Sequence, residues 1–321
     1  MTKTRIIGTG SYLPLTILSN EHLSTIVDTN DEWIMERTGI KERRIATTET
    51  TSSMASAAAL LALEDSKVLA EDIDLIIVAT FTPDSSMPSV SCKVQGSIGA
   101  VHAVCFDLNA ACSGFLFALT TAHAYISSGI YKNALIIGAE ALSRAIDWTD
   151  RGTCVLFGDG AGAVVLSKDS VGFIGSLLGS DGGKGEVLTY SKQMTKNLFD
   201  KEIIENSYIQ MDGQEVFKFA VRKVPENISQ LLEQHHTNIG QIDHFILHQA
   251  NKRIIQSVAK RLNADENKFP INLNYCGNTS AASIPILIDD LNRGGKLKKN
   301  DTLVLSGFGG GLTWGSCLLT W

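Results

Sequence analysis

Cys112 stands in Asp107-Leu-Asn-Ala-Ala-Cys-Ser-Gly-Phe115, between Ala110, Ala111, Ser113 and Gly114. Neighbours this small let other groups approach the sulfur closely. A strand-like run over 101–108 enters the stretch and a long apolar run over 115–126 leaves it. A helix that begins near Cys112 aims its first, unpaired N–H groups at the sulfur. That environment favours thiolate over thiol, the form in which a cysteine is a nucleophile.

Two other residues have matching chemistry. His248 closes an apolar strand at 242–247 and opens His248-Gln-Ala-Asn251. Strand ends of α/β folds are where ligands sit, and a histidine can move protons near neutral pH. Asn278 lies in Gly277-Asn-Thr-Ser-Ala-Ala-Ser283, a tight turn before a helix. Cys, His and Asn brought together suit acyl transfer: a thiolate attacks, and neutral N–H donors hold the developing oxyanion. The run Gly307-Phe-Gly-Gly-Gly-Leu-Thr-Trp-Gly315 lets main chain come close to a ligand. A backbone N–H in this run would form half of an oxyanion hole, with that of Cys112 the other half. This run lacks the spacing and the Lys of a phosphate-binding loop.

These residues need an α/β scaffold. A strand is expected over 6–13, helix N-caps at Asn20 and Thr29, and an alanine-rich helix over 53–66. Residues 73–80 form a continuous apolar strand, suited to a sheet covered on both faces. Further strands are expected at 134–138 and 158–166, and a helix at 91–97. The polar segment 182–206 reads as surface loop and helix. The second half repeats the plan of the first. Ile73-Asp-Leu-Ile-Ile-Val answers to Ile242-Asp-His-Phe-Ile-Leu, a shift of 242 − 73 = 169. Asn133-Ala-Leu-Ile-Ile-Gly answers to Asp301-Thr-Leu-Val-Leu-Ser, a shift of 301 − 133 = 168. Under the shift of 168, Cys112 falls on Ser280. Two similar halves, 1–170 with the nucleophile and 171–321 with His and Asn, would pack face to face around two central helices.

The 321 residues, 44% hydrophobic and 19% charged, describe a globular chain with a sizeable core. A net charge of −6 argues against general nucleic-acid binding. No apolar run approaches the roughly 20 residues of a membrane helix, and the opening residues read as a first strand, not a signal peptide. Six cysteines without a CxxC pair or metal-ligand spacing read as reduced thiols of a cytoplasmic protein.

Taken together, Asp31-Glu-Trp-Ile-Met-Glu-Arg-Thr-Gly-Ile40, Ala110-Ala-Cys-Ser-Gly-Phe115, Asp147-Trp-Thr-Asp-Arg-Gly-Thr153, Phe157-Gly-Asp-Gly-Ala-Gly162, His248-Gln-Ala-Asn251, the Gly277 turn and the Gly307 run make the chain resemble the β-ketoacyl-acyl-carrier-protein synthases III. These are the initiating condensing enzymes of type II fatty-acid synthesis. The resemblance implies the thiolase fold, an α/β architecture of five layers αβαβα with internal duplication, and a homodimer. It implies that Cys112 takes a starter acyl group from acyl-CoA. His248 and Asn278 then stabilise the enolate formed when malonyl-acyl-carrier protein loses CO2, and no cofactor or metal is needed. It further places Thr29, Trp33, Arg37, Arg151, Phe217 and Asn251 around coenzyme A, and the Gly310 N–H beside that of Cys112 in the oxyanion hole. Met87 and Phe308 are placed at the acyl pocket, with Met87 reaching across the dimer.

Lys252, Arg253, Lys260 and Arg261 share one helix face, and Lys218, Arg222 and Lys223 form a second basic group. On an acidic protein such patches can steer an acidic carrier protein; the resemblance assigns this to Lys218, Arg253, Lys260 and Arg261. Three other readings stand beside the first. One is a condensing enzyme of a secondary pathway; another is a cysteine hydrolase, in which the histidine must act as general base. The third, a catalytically silent binding paralogue, is disfavoured by the full set of Cys112, His248 and Asn278.

Overall fold

A computed structural model of the chain describes residues 3–191 and 208–321. Its frame is two mixed sheets. The first contains β1 (Lys3–Tyr12), β2 (Leu75–Ala79), β3 (Val104–Leu108), β4 (Asn133–Glu140) and β5 (Gly160–Asp169), in the spatial order β1-β5-β4-β2-β3. The second contains β6 (Phe173–Ser180), β7 (His244–Leu247), β8 (Thr302–Gly309) and β9 (Thr313–Thr320), in the order β7-β8-β9-β6. The orders and senses correspond. β2 and β4 pair in parallel, as do β7 and β8; β4 with β5 and β5 with β1 are antiparallel, as are β8 with β9 and β9 with β6.

The helices that position the site are α1 (Asp31–Thr38), α2 (Thr51–Ser66), α3 (Val90–Ile98), α4 (Gly114–Ser127), α5 (Gly213–Gln234), α6 (Lys252–Leu262) and α7 (Ser283–Arg293). All five residues of β2 are buried, as its unbroken apolar run requires. Alternate side chains go to opposite faces. Leu75 and Ile77 enter a core with α4, α7 and Leu303 and Leu305 of the second sheet. Ile76 and Val78 enter another with α2 and α3. Phe245 and Leu247 of β7 pack on α5 and α6. The layers are therefore αβαβα, with α4 and α7 as the shared middle layer.

The duplication has one register at the active ends. Ala111 and Ser280 both hold left-handed backbone, φ 46° and 50°, and each opens a 3₁₀ turn. The helices that follow start at Gly114 and Ser283, a shift of 283 − 114 = 169. Cys112 therefore answers to Ala281, not to Ser280. The turns pack crosswise. A Cβ on Gly138 of β4 would lie 2.2 Å from the Ala281 carbonyl, and one on Gly309 of β8 would lie 2.5 Å from the Cys112 nitrogen.

Two caps differ from expectation by one residue. Ser19 caps the helix at Asn20, whose own side chain donates to the Ile40 carbonyl at 2.7 Å and accepts from buried Arg43 at 2.9 Å. Asn30, not Thr29, caps α1 by accepting from the Trp33 N–H. In the polar segment, Gly182–Val187 make 3₁₀ turns and Leu188–Tyr190 pair with Ile209–Met211. The rest of that segment, from residue 192, lies outside the described residues. Among the described residues no helix is long and apolar enough to cross a membrane, and no group of three or more His, Cys, Asp or Glu could hold a metal.

Candidate active site

Cys112 lies where two cavities meet. One, of about 510 Å³, is lined by Phe81, Cys112, Leu188, Tyr190, Ile209 and Gly310 among others. The other, of about 190 Å³, is lined by Cys112, Phe217, His248, Asn251, Asn278 and Phe308 among others. The three residues singled out for chemistry thus share one cavity, although they come from α4's leading turn, the end of β7 and the turn before α7.

Local hydrogen bonds fix each of them. Asn278 Oδ1 accepts from the Ser280 N–H at 2.9 Å, which leaves the amide N–H₂ free to donate. Its backbone is zipped to the facing loop: Gly158 N donates to the Asn278 carbonyl at 3.0 Å, and Asn278 N to the Leu156 carbonyl at 2.9 Å. His248 Nδ1 is 2.7 Å from Ser283 Oγ. That oxygen also accepts from the Gln249 N–H at 3.4 Å, and where it donates its own hydrogen to Nδ1 the ring proton is carried by Nε2. Burial depresses His248 to about 3, so the imidazole is neutral and acts as a donor without being a strong acid. Phe308 packs edge-on against His248, with centroids 5.6 Å apart.

Cys112 departs from expectation. The turn at 111–113 buries the sulfur, and desolvation pushes the thiol up to about 12. The nearby Ser280 hydroxyl opposes this, and the Glu140 carboxylate adds to it. The resting group is a thiol, not the thiolate that a helix start alone would favour.

The remaining sequence candidates fall in three places. Trp33 on α1 has the Arg37 and Arg151 guanidiniums 4.6 and 4.9 Å from its ring centroid. Asn251 caps α6 and donates to the Arg37 carbonyl at 2.9 Å, while Phe217 lies near Arg253 at 5.8 Å. Thr29 Oγ1 is buried without a partner. Lys218, Arg253, Lys260 and Arg261 are exposed on the adjoining helices α5 and α6. Two calls shift. Phe308 lines the His248 cavity, not the larger one, and Met87 lines neither, being 86% exposed. Sequence reasoning missed Phe81, Leu188, Tyr190 and Ile209, single apolar residues in short segments with no periodic signal. It also missed Glu140, though a lone carboxylate ending the apolar run 134–139 marks that position.

Two family models match the chain: 3-oxoacyl-[acyl-carrier-protein] synthase III over residues 106–182, and the C-terminal region of the same synthase over 232–321. Beta-ketoacyl-[acyl-carrier-protein] synthase III of Clostridium acetobutylicum is 53% identical over 323 residues, covering 100% of this chain and 99% of that protein. The crystal structure of 3-oxoacyl-[acyl-carrier-protein] synthase III from Aquifex aeolicus superposes with a TM-score of 0.93 at 46% identity, covering 100% of both chains. The priming β-ketosynthase of the R1128 polyketide pathway superposes with a TM-score of 0.93 at 35% identity, covering 99% of this chain and 96% of that one. With its motifs, layers and full-length likeness in agreement, the chain belongs to the 3-oxoacyl-[acyl-carrier-protein] synthase III family.

Proposed function

We propose that the protein initiates fatty-acid synthesis by condensing a short acyl-CoA with malonyl-acyl-carrier protein, with loss of CO2, through an acyl-Cys112 intermediate. The observation that carries this reading is the placement of Cys112 between an apolar cavity and a second cavity holding two neutral N–H donors. The starter chain occupies the cavity of about 510 Å³, and the thioester carbonyl faces the Cys112 and Gly310 N–H groups. His248 Nε2–H and the Asn278 amide hold the enolate oxygen, and a neutral donor stabilises that charge without protonating the carbon nucleophile. A hydrolase would need His248 as a base toward water, and a histidine held near 3 is a poor one.

Thr29, Trp33, Arg37, Arg151, Phe217 and Asn251 form the coenzyme A side of the reading. The Arg151 guanidinium now fills the space over Trp33 that an adenine would take, so binding moves it. Lys218, Arg253, Lys260 and Arg261 are the carrier-protein face. The active form is a homodimer through the free edge of β3, supported by exposed Val101 (69%) and Val104 (50%) and by the projecting Met87. Met87 then enters the partner's acyl cavity, and its pliability admits longer or branched starters. Residues 1–170 and 171–321 are the two duplicated halves, and the unpaired cysteines suit a cytoplasmic site. The likeness to a polyketide priming enzyme makes a secondary pathway the second reading.

Intact-protein mass after mixing with acetyl-, isobutyryl- or hexanoyl-coenzyme A tests the intermediate. One acyl group should add to the wild type and none to Cys112→Ser. Adducts on both proteins, or on neither, would withdraw the assignment. The preferred donor and carrier protein separate the two pathways.

A further inference from the structure

Glu140 ends β4 after six residues that are apolar or glycine, and its side chain is fully buried. In the duplicated plan its counterpart, 169 residues on, is Gly309, which rests on the Cys112 nitrogen. The two halves therefore differ by a buried carboxylate, and the difference falls beside the nucleophile.

The carboxylate is held by neutral donors: Thr80 Oγ1 at 3.1 Å, Thr82 Oγ1, the N–H groups of Phe81 at 3.3 Å and Thr82 at 3.1 Å, and Ser280 Oγ at 3.3 Å. Among the described residues, the titratable groups that face it are Cys112 and Tyr190. No ion pair among the described residues includes it. Ser280 joins the parts. Its hydroxyl donates to Glu140 at 3.3 Å and neighbours Cys112, and its N–H donates to Asn278 Oδ1 at 2.9 Å.

We infer that Glu140 is a positioning residue that receives the Cys112 proton through the Ser280 hydroxyl when the thiol is acylated, and returns it when the thiolate is expelled. This rests on the acyl-Cys112 reading. In loading, the Sγ–H bond breaks as Sγ bonds the acyl carbon. The proton passes to Ser280 Oγ while the Ser280 hydroxyl proton passes to Glu140. The bond from the acyl carbon to the coenzyme A sulfur breaks with its electron pair on that sulfur, which takes a proton from bulk water. In condensation, the enolate carbon left by CO2 loss attacks the acyl carbon. The bond to Sγ breaks with its pair on Sγ, and the thiolate recovers its proton from Glu140 through Ser280. Glu140 is then neutral while the acyl-enzyme waits, so no anion stands behind the site that must admit a malonyl carboxylate. Burial supports the assignment of acceptor: it raises Glu140 to about 7 and depresses His248 to about 3.

The test follows two rates from pH 5 to 9, acyl loading by intact mass and Cys112 alkylation by iodoacetamide. The proteins are wild type, Glu140→Gln, Glu140→Asp and Ser280→Ala. Wild-type loading should rise with pH through a limb near 7. Glu140→Gln and Ser280→Ala should lose the limb and load about 10²-fold more slowly, the range of general acid–base catalysis. Glu140→Asp should keep the limb. A Gln variant with the wild-type rate and limb overturns the relay. If that variant does not fold, Ser280→Ala decides: it leaves Glu140 its four other donors, and a wild-type limb there overturns the relay equally. A wild type that loads no donor withdraws acyl-Cys112 and the relay together. Normal loading by all four proteins sinks the relay alone.

Discussion

Glu140 holds its proton to about pH 7 in the folded chain, against an ordinary value of 4.5, because burial disfavours the charge. The folded state binds more protons than the unfolded one between those values, so stability falls as pH rises through that window. The full cost above pH 7 is about 3 kcal/mol. Denaturant melts should therefore show Glu140→Gln gaining on the wild type by about that much between pH 4.5 and 8; a constant gap would contradict it. His248 has the opposite sign. Its folded value lies near 3 and its ordinary value is 6.5, so stability is lost as pH falls below 6.5. His248→Gln should lose less of its stability than wild type on going from pH 7 to 4. On the proposed coenzyme A reading, Trp33→Ala removes the ring on which the adenine would stack. It should raise the acyl-CoA concentration for half-maximal loading about tenfold, with the maximal rate unchanged.

The site depends on a few elements meeting at short range. Gly309 shows how little slack there is. A Cβ there would lie 2.5 Å from the Cys112 nitrogen, so Gly309→Ala must displace the nucleophile's turn. Loading should fall at least about 10²-fold, as displacements near 1 Å produce, with far-UV dichroism retained. Arg43 performs the same service beneath Asn278. It is fully buried, donates to the Leu18 and Val155 carbonyls and to Asn20, and its Cβ lies 3.0 Å from where a Gly277 Cβ would stand. Arg43→Met strands those acceptors and should cost about 3 kcal/mol, with condensation slowed more than loading. The sequence displayed some of this directly. A short unbroken apolar run rich in β-branched residues suits a strand covered on both faces, and β2 is one. Cys112, His248 and Asn278 were legible because each stands alone at an element's end. The lining of the larger cavity was not, because Phe81, Tyr190 and Ile209 converge only through tertiary packing. Ser19 and Asn30 displaced the expected caps because adjacent residues had equal capping chemistry, and Asn20 was drawn off by Arg43.

At the scale of the whole molecule, charge and edges govern association. Reversing Arg253, Lys260 and Arg261 together should raise the KM for malonyl-carrier protein at low salt and leave acyl-CoA loading intact. Added salt should bring wild type and variant together, since exposed charges are screened within about 10 Å at 0.1 M. The edge of β3 should respond to Val104→Asp, which sets a charge on an apolar rim; sedimentation should then show the monomer.

The middle layer has a consequence for synthesis. β2 and β4 turn one face toward α4 and α7, and that face is completed by Leu303 and Leu305 near the chain's end. The first sheet is finished at residue 169 with α4 already on its inner face, yet α7, the rest of that cover, emerges more than a hundred residues later. At about 5–20 residues per second the nascent chain carries an open apolar surface for several to some tens of seconds. Contacts so distant in sequence also slow closure. The interval between ribosome and finished fold is thus when this chain is most exposed to aggregation, and a fragment ending near residue 170 should require a chaperone to stay in solution.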